Sequence, residues 1–360
     1  MGGSKGSVLV AMSGGVDSSV AACLLREQGY EVLGAHMNLV HLDGVEHGCC
    51  GPAARADATE VARIAGFPFE IVDLSVAFEA TVIDDFVAEL EAGRTPNPCA
   101  RCNGEIKFGA FLRLADDRGI DSVATGHYVR TARDDEGMWH LLRGADRAKD
   151  QTYMLHMLGQ RELAHSLFPV GAMSKAETRA HAERLGLPVA AKPDSQELCF
   201  APAGDAGAFV RTHAPALVRD GQVVDTDGRV LATHGGTFAF TVGQRRGLGV
   251  ALGTPAYVVD VDPAANRIVV GPQELLARRA LTADRVSWIA GEPPTGGPFE
   301  AKVRIRYRGD DAPAVVEPLG DAGVRVEFRT AQRAVAPGQS AVVYRGDEVL
   351  GGGRIVQTFR

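Results

Sequence analysis

The chain has 360 residues, of which 45% are hydrophobic and 23% are charged, and its formal net charge is −7. This size predicts about two or three globular domains with ordinary cores. The composition argues against a membrane-spanning protein, because no apolar run reaches the ~18 residues of a transmembrane helix, and against a protein that coats nucleic acid nonspecifically. The N-terminus lacks the apolar core of a signal peptide, so we expect a cytoplasmic protein.

A glycine-containing turn after an apolar run is the first chemical feature. The run Val8–Ala11 predicts a buried strand, and a helical pattern follows from about Asp17 to Gln28. Between them, Ser13-Gly14-Gly15 lets the backbone approach a ligand closely, and free amides at a helix start attract anions. No Gly-Lys-Ser/Thr sequence closes the turn, so it is not a Walker loop. Asp17 would repel a bare phosphate, which favours a magnesium ion between the two groups.

The segment Ser13-Gly14-Gly15-Val16-Asp17-Ser18-Ser19 resembles the pyrophosphate loop of the ATP-pyrophosphatase superfamily. The resemblance implies cleavage of ATP to AMP and pyrophosphate, with a carbonyl-type oxygen activated by adenylation. The alternative interpretation is a plain glycine turn between a strand and a helix.

Strand and helix patterns alternate as far as residue 128 and predict an α/β domain with a doubly wound, mostly parallel sheet. Strands are predicted at 31–37, 67–74 and 121–128, and helices at 53–65 and 76–91. Met37 ends the second strand, where it would pack either on an adenine or in the core. Gly126 and His127 end another strand at the same cleft, where His127 would contact phosphate or RNA, or be structural.

Two prolines and a Cys-x-x-Cys pair mark a rigid irregular loop from Gly93 to Asn103. A helix predicted from Asn103 to Ala115 places Cys99 and Cys102 near its N-terminus, where the dipole and nearby basic residues favour a thiolate. We therefore expect a nucleophile here. A zinc half-site would require a second ligand pair that the sequence lacks, and a redox Cys-x-x-Cys pair would not require an ATP loop.

A second cysteine-bearing loop follows much later, from Lys192 to Phe200, and carries Cys199. If both loops open onto one cleft, the sulfurs of Cys102 and Cys199 could meet there. Of the remaining cysteines, Cys23 is predicted in the core, and Cys49 and Cys50 are predicted to be structural or helix-capping.

Two polar segments lie between the cysteine loops. Residues 149–153 either contact phosphate or RNA backbone or cap a helix predicted from Met154. Ser174 and Glu177 form a capping-box pattern for a helix that runs to Leu185.

Short β-type runs with Gly and Asp turns occupy the rest of the chain. Strands at 222–224, 229–232, 237–242, 257–261 and 267–270 predict a small central β domain, and six later runs predict a C-terminal β-barrel. The central domain carries a basic loop, 243–249, that would either bind phosphate or form a solvated hairpin. Lys302, Arg304, Arg306 and Arg308 alternate and predict one basic strand face suited to RNA.

Eight motifs in order resemble one family, the bacterial tRNA-specific 2-thiouridylases. They are SGGVDSS, TPNPCARCN, ATGHY, KDQTY, DSQELCF, TVGQRRGLG, IRYR and APGQ, and they cover nearly the whole chain. The resemblance implies an ATP-pyrophosphatase catalytic domain of the adenine nucleotide α-hydrolase type at 1–202. It further implies a central β domain at 203–277 and a tRNA-binding barrel at 278–360.

The resemblance also implies a reaction: the C2 oxygen of the wobble uridine is adenylated, and sulfur then arrives from a persulfide on Cys199. Cys102 would release the sulfur by forming a disulfide with Cys199. The partners implied are a sulfur-relay protein or cysteine desulfurase and tRNAs that accept Glu, Gln and Lys, without a membrane.

Site residues carry over from the family motifs by position. Those implied to hold ATP are Ala11, Met12, Ser13, Gly14, Gly15, Val16, Asp17, Ser18, Met37 and Gly126. Those implied to face the target base are Asn97, Pro98 and Cys99. Those implied to contact tRNA are His127, Lys149, Asp150, Gln151, Arg306, Tyr307 and Gln339.

Three alternatives remain open. Many family members have Asp where Cys99 stands, so Cys99, Cys102 and Cys199 could instead hold a [4Fe–4S] cluster with one open iron. A different adenylating enzyme would explain the ATP loop but neither Cys102 nor Cys199. A nonenzymatic nucleotide-sensing RNA binder would explain the basic C-terminal strand and the loop but not the thiols.

Overall fold

A computed structural model describes residues 4–40, 51–194, 198–201, 205–250, 253–294, 296–320 and 323–360. Seven strands occur in the first half of the chain: β1 (Ser7–Ala11), β2 (Glu31–Asn38), β3 (Phe69–Asp73), β4 (Ser122–Ala124), β5 (Val129–Arg133), β6 (Trp139–Arg143) and β7 (Ser166–Leu167). Five of them form a parallel sheet in the order β3-β2-β1-β4-β7, which confirms the predicted doubly wound domain.

The α-helical segments in the described part of the chain are α1 (Val16–Glu27), α2 (Pro52–Ala65), α3 (Ser75–Phe78), α4 (Asp84–Glu91), α5 (Pro98–Cys102), α6 (Phe111–Asp117), α7 (Gln160–Ala164), α8 (Lys175–Arg184) and α9 (Ala206–His213). A π-helical stretch, Glu79–Ile83, joins α3 to α4, and a second, Asn103–Ala110, joins α5 to α6. Within the described ranges, no helix is long and apolar enough to cross a membrane.

The central strand β1 is buried on both faces of the sheet. Val8 and Val10 belong to one apolar cluster and Leu9 to another, and all three are fully buried. This is why the strand is a continuous apolar run rather than an alternating one. Cys23 packs in the first of these clusters, as predicted, and burial raises its pKa to about 11.

Two local predictions in this part of the chain need correction. The helix expected from Asn103 begins earlier, at Pro98, because the Asn97 side chain accepts a 3.2 Å hydrogen bond from the Ala100 amide. The helix expected from Met154 is a single 3₁₀ turn, Thr152–Met154. Its first residue donates its hydroxyl to the buried Asp150 carboxylate at 2.9 Å, which fixes the turn locally.

Four strands form the central sheet: β8 (Gly221–Val224), β9 (Val230–His234), β10 (Tyr257–Asp262) and β11 (Arg267–Gly271). Their order is β10-β11-β8-β9, with antiparallel hairpins that join β8 to β9 and β10 to β11. The strand predicted at 237–242 is wrong, since Thr237–Ala239 forms a 3₁₀ turn closed by the Phe240 amide on the Thr237 carbonyl.

The last six strands close into an antiparallel barrel, as predicted: β12 (Ala277–Trp288), β13 (Phe299–Arg304), β14 (Ala312–Pro318), β15 (Val324–Arg333), β16 (Ser340–Arg345) and β17 (Glu348–Phe359). Pairing of β12 with β17 completes the ring. The basic strand face is wrong beyond Arg304, where β13 ends. Arg306 lies in a turn that the Gly309 amide closes on the Arg306 carbonyl.

The hairpin of β5 and β6 joins the first domain to the barrel. Leu141 pairs with Val349 on β17, and the buried Arg143 at the end of β6 binds Asp150 at 2.9 Å and Asp311 at 2.6 Å. Arg304 reaches the same Asp311 at 2.8 Å. Losing one partner would leave an uncompensated buried charge, which typically costs about 3–5 kcal/mol. This network therefore fixes how the barrel sits on the parallel-sheet domain.

Candidate active site

The turn between β1 and α1 lies at the carboxyl edge of the sheet. Because β2 and β4 flank β1 on opposite sides, this edge is the crevice where doubly wound sheets bind ligands. Gly14 has φ +68°, and a Cβ there would lie 2.1 Å from the Ala54 carbonyl oxygen. A Cβ on Gly126 would lie 2.5 Å from the Ser18 amide nitrogen. Only glycine fits at these two positions, so both turns pack tightly around the α1 N-terminus.

Hydroxyl groups fix the shape of this turn from inside. The Ser13 amide donates to Ser18 Oγ at 3.2 Å, and Ser19 Oγ donates to the Gly15 carbonyl at 2.8 Å. Ser18 and Ser19 are buried, whereas Ser13 is exposed. The turn is therefore held by its own hydrogen bonds, with the start of the twelve-residue helix α1 facing the crevice.

Lys175, at the start of α8, is shared by two carboxylates from different segments. Its Nζ lies 2.7 and 2.8 Å from the two Asp17 carboxylate oxygens and 2.7 Å from Asp194 Oδ1. Tyr128 donates its hydroxyl to Asp17 at 2.7 Å. The charge that was expected to need magnesium is thus balanced here by an ammonium group.

Two further cations, Lys149 and Lys192, extend this ion-pair cluster. Lys149 Nζ lies 2.8 Å from Asp194 Oδ2, and Lys192 Nζ lies 2.9 Å from the Gly14 carbonyl and 2.5 Å from Asp57. Burial opposes ionisation of Asp194, but hydrogen bonds from Lys149 and Lys175 lower its pKa to about 2. The segment that leads to Cys199 is therefore tied electrostatically to the turn after β1.

The two cysteines that the family resemblance implies in sulfur transfer pack against one apolar cluster. Cys102, the last residue of α5, is buried in it, and the half-buried Cys199 packs against it. Phe200 is fully buried there, with its ring centroid 5.1 Å from that of Phe86 on α4. The fold thus brings together two segments that are 97 residues apart in sequence. Cys99 is exposed on the first turn of α5, and Cys49 and Cys50 lie outside the described residues.

No three His, Cys, Asp or Glu side chains in the described part of the chain are grouped so that they could hold a metal ion. Cys99, Cys102 and Cys199 all lie in that part. Their positions therefore do not form a ready ligand set for an iron–sulfur cluster.

The loop that precedes α5 is held by all three parts of the molecule. Gln339 of the barrel donates its side-chain amide to the Thr95 carbonyl at 3.0 Å and to the Pro96 carbonyl at 3.3 Å. Thr95 donates its hydroxyl to Thr241 of the central domain at 3.3 Å. Arg94 pairs with the buried Glu89 at 2.6 Å, and Glu89 also pairs with Arg354 of the barrel. These contacts set the position of Asn97, Pro98 and Cys99.

The residues implied to contact tRNA divide by exposure. Lys149 and Arg306 reach solvent, whereas His127 and Asp150 are buried and Gln151 accepts the Tyr128 amide at 2.9 Å. Burial, followed by the charge of Lys107, holds the pKa of His127 well below its usual value, so its imidazole is neutral. Tyr307 is half-buried, with its ring centroid 6.2 Å from that of Tyr153. Direct RNA contact is therefore easiest for Lys149 and Arg306.

Comparison with known proteins decides the family. A protein named tRNA-specific 2-thiouridylase MnmA from Symbiobacterium thermophilum is 47% identical over 97% of this chain and 91% of its own length. The proteins of the same name from Acidothermus cellulolyticus and Moorella thermoacetica are 48% and 47% identical, and each match covers 98% of the relative. The chain belongs to the tRNA-specific 2-thiouridylase family. It is therefore an enzyme of that family.

Three family models match successive parts of this thiouridylase chain. The tRNA methyl transferase HUP domain matches residues 6–203, the tRNA methyl transferase PRC-barrel domain 207–272, and the aminomethyltransferase beta-barrel domain 278–355. The first match spans the turn after β1 and both thiol segments. The word methyl in these descriptions differs from the names of the relatives, which refer to sulfur chemistry.

Sequence reasoning missed several residues that shape this site. Lys175 was interpreted only as part of the capping box, which the structure confirms through the Ser174 amide on Glu177 at 2.7 Å. Lys175 pairs with Asp17, which lies 158 positions away in the sequence, and no local sequence pattern could predict that contact. Lys192 and Asp194 lie in the predicted second cysteine-bearing loop, but their partners emerge only from the fold.

Proposed function

We propose that this chain catalyses ATP-dependent 2-thiolation of the wobble uridine of tRNA. The observation that carries the proposal is that Cys102 and Cys199 contact one apolar cluster, and that Lys192, on the segment that leads to Cys199, donates to the Gly14 carbonyl of the turn after β1. An adenylating enzyme that uses ammonia or an amine would need neither thiol. Membership of the 2-thiouridylase family supports the same reaction.

In this proposal ATP occupies the crevice above β1 and β4. Its phosphates would lie on the amides and hydroxyls of residues 11–18, with Gly126 closing the wall and Met37 packing on the adenine. Lys175 and Lys192 already lie within hydrogen-bond distance of this turn and supply positive charge for the phosphates. Magnesium would arrive with the nucleotide as its phosphate counterion.

The first step activates the base. The C2 oxygen of uridine attacks the α-phosphorus of ATP, the α–β phosphoanhydride bond breaks, and pyrophosphate leaves. The base becomes an O-adenylated intermediate whose C2 carries a good leaving group. To reach the crevice, the uridine must leave the anticodon stack, and Asn97, Pro98 and Cys99 would then lie against it.

The second step transfers sulfur. The terminal sulfur of a Cys199 persulfide attacks C2, the C2–O bond breaks, and AMP leaves. The Cys102 thiolate then attacks the inner sulfur of Cys199, so that the S–S bond breaks towards the product. This gives 2-thiouridine and a Cys102–Cys199 disulfide, which an external dithiol must reduce before the next turnover.

The finer assignments belong to the same proposal. The chain would comprise a catalytic domain at 1–202, a central domain at 203–277 and a barrel at 278–360. Transfer RNAs for Glu, Gln and Lys would be the acceptors, with Lys149, Arg306 and Tyr307 among the contacts. A sulfur-relay protein or a cysteine desulfurase in the cytoplasm would load Cys199. An iron–sulfur route is not proposed, since the three thiols do not form a ligand set.

The direct test is mass spectrometry of nucleosides from tRNA incubated with the full chain, ATP, magnesium and sulfide. We expect 2-thiouridine at the wobble position, and none without ATP. The variant Cys199→Ser should lose the product with protein-derived sulfur while retaining tRNA-dependent exchange of pyrophosphate into ATP. Full product from Cys199→Ser with a protein sulfur donor, or product that requires stoichiometric iron, would contradict the persulfide route.

A further inference from the structure

Two ion pairs join helix α4 to the barrel, and they differ in what else they hold. Asp85, in the first turn of α4, lies 2.5 Å from the Arg285 guanidinium of β12. Glu89, one turn later, pairs with Arg354 of β17. The Asp85 side chain is 20% exposed and that of Glu89 only 3%. The helix therefore carries a buried link to the barrel and a more exposed one of the same kind.

The buried Glu89 also holds the residue that begins the next loop. Its Oε2 accepts from Arg94 Nε at 2.6 Å and its Oε1 from Arg94 Nη2 at 2.7 Å, which is the strong two-point contact of a guanidinium with a carboxylate. The Arg94 amide donates to the Glu89 carbonyl at 2.9 Å. Both the side chain and the backbone of Arg94 are thus fixed on Glu89.

The loop 93–97 is packed tightly on both sides of Arg94. A Cβ on Gly93 would lie 2.8 Å from Pro263 of the central domain, and a Cβ on Gly338 of the barrel would lie 2.7 Å from the Thr95 carbonyl oxygen. The Thr95 amide donates to the Pro337 carbonyl at 2.8 Å. Arg94 is the only charged residue of this loop. Its ion pair is therefore the one contact of the loop that a change of charge can remove without altering the backbone.

The charges around Glu89 determine which contact its loss would release. Arg354 has a second carboxylate, because its Nε donates to Asp284 of β12 at 2.9 Å. Among the carboxylates that the structure describes, Arg94 pairs with Glu89 alone. Neutralising Glu89 would leave Arg354 paired within the barrel and would free the Arg94 side chain. The loop, rather than the barrel, would then lose its anchor.

We propose that Glu89 is a positioning residue for sulfur transfer and acts through Arg94 on the loop that leads into α5. The Asn97 side chain at the end of this loop caps α5 by accepting from the Ala100 amide at 3.2 Å, and Cys102 is the last residue of that helix. A displacement of the loop therefore moves a residue assigned to the target base and a thiol together. This inference rests on the proposed function.

The proposal gives the barrel a part in the geometry of the reaction. Arg354 on β17 holds the Glu89 carboxylate, and that carboxylate holds Arg94. Since Glu89 is buried, it does not present its charge to RNA at the surface. Its loss should therefore lower the rate at saturating tRNA and leave the affinity for tRNA unchanged.

The test is a single turnover of the persulfide-loaded full chain with saturating ATP and tRNA. In Glu89→Gln the rate constant for 2-thiouridine formation should fall at least about tenfold, since a misplacement of about 1 Å can cost about 100-fold. The Kd for tRNA should stay within about twofold of the wild type, which separates loss of positioning from loss of binding. Unfolded protein would lower the amplitude of the turnover and not its rate constant.

The matched control is Asp85→Asn, which neutralises the other carboxylate that joins α4 to the barrel. Asp85 has no contact with the loop 93–97 among the ion pairs and hydrogen bonds of the described residues. Its rate constant should lie within about twofold of the wild type, as expected for a partly exposed pair.

A second variant, Arg94→Met, removes the loop contact and keeps the pair between Glu89 and Arg354. Its rate constant should fall as far as that of Glu89→Gln. Because both changes break one contact, the double variant should be no slower than either single variant.

Three results would overturn the inference. The first is an equal rate constant for Glu89→Gln and Asp85→Asn. The second is a wild-type rate constant for Arg94→Met, which would mean that Glu89 does not act through the loop. The third is a tRNA affinity that falls as much as the rate. Failure of the proposed function would appear differently, as wild-type chain that makes no 2-thiouridine.

Discussion

The turn after β1 and the segment that carries Cys199 lie side by side, yet different forces hold them. The turn is fixed by close backbone packing of Gly14 against Ala54 on α2 and by the hydrogen bond from the Ser13 amide to the Ser18 hydroxyl. The Cys199 segment is held from outside, by ion pairs from Asp194 and by apolar packing of Phe200. The comparison teaches that the nucleotide side is shaped mainly by close backbone packing, whereas the sulfur side is held mainly by ion pairs and apolar side-chain contacts.

Removing the Cys199 thiol should abolish sulfur transfer and leave adenylation intact. We expect Cys199→Ser to lower thiolation by about a thousandfold or more, as for loss of an essential nucleophile. Pyrophosphate exchange that depends on tRNA should stay within about twofold of the wild type. An equal loss of both activities would show that the two sides are not separable.

Replacing Gly14 should break the nucleotide side. In Gly14→Ala the left-handed backbone costs about 1–2 kcal/mol, and the clash with the Ala54 carbonyl adds to it. The control Gly119→Ala has almost the same φ, +67°, with nothing within 4 Å of the new Cβ. Thermal unfolding and ATP affinity should therefore fall clearly more for Gly14→Ala. Equal effects would contradict the steric account.

Lys175 contacts both Asp17 and Asp194, so replacing it tests how far sulfur transfer depends on the link between the turn after β1 and the Cys199 segment. In Lys175→Met, Asp17 and Asp194 both lose a 2.7 Å ion pair, and the Cys199 segment loses an anchor. We expect thiolation from a preloaded persulfide to fall about tenfold with little change in the melting temperature, since partly exposed pairs contribute little stability. Lys5→Met, at an exposed position before β1, is the control. Its thiolation should match the wild type, and a similar loss there would refute the anchoring role.

The smallest effect concerns pH and lies away from the site. Hydrogen bonds to Glu348 and then Asp134 raise the pKa of His140, which joins the β5–β6 hairpin to β17. A raised folded-state pKa means that this stabilisation is complete below about pH 6.5 and disappears as pH rises through the folded pKa. His140→Gln should flatten that part of the stability curve by less than about 1 kcal/mol. An unchanged curve would show that the pair contributes nothing.

The same contrast explains what the sequence could predict. The turn after β1, the Ser174 capping box and the barrel strands are encoded by neighbouring residues, so their patterns were sufficient. The β5–β6 hairpin was missed because its reason for existing is its pairing with β17, about 200 residues later. The contacts of Lys175 and Gln339 could not be predicted for the same reason. Lys175 binds the Asp17 carboxylate and Gln339 binds the Thr95 carbonyl, and both partners are far away in the sequence. A 3₁₀ turn forms at Thr152 instead of the predicted helix because the Thr152 hydroxyl donates a hydrogen bond to the buried Asp150 carboxylate.

The most direct test of the account is a single turnover of persulfide-loaded enzyme with tRNA and ATP in the absence of reductant, followed by peptide mapping under non-reducing conditions. The account predicts one Cys102–Cys199 disulfide for each 2-thiouridine formed, and neither product when ATP is omitted. Formation of 2-thiouridine without that disulfide would contradict it.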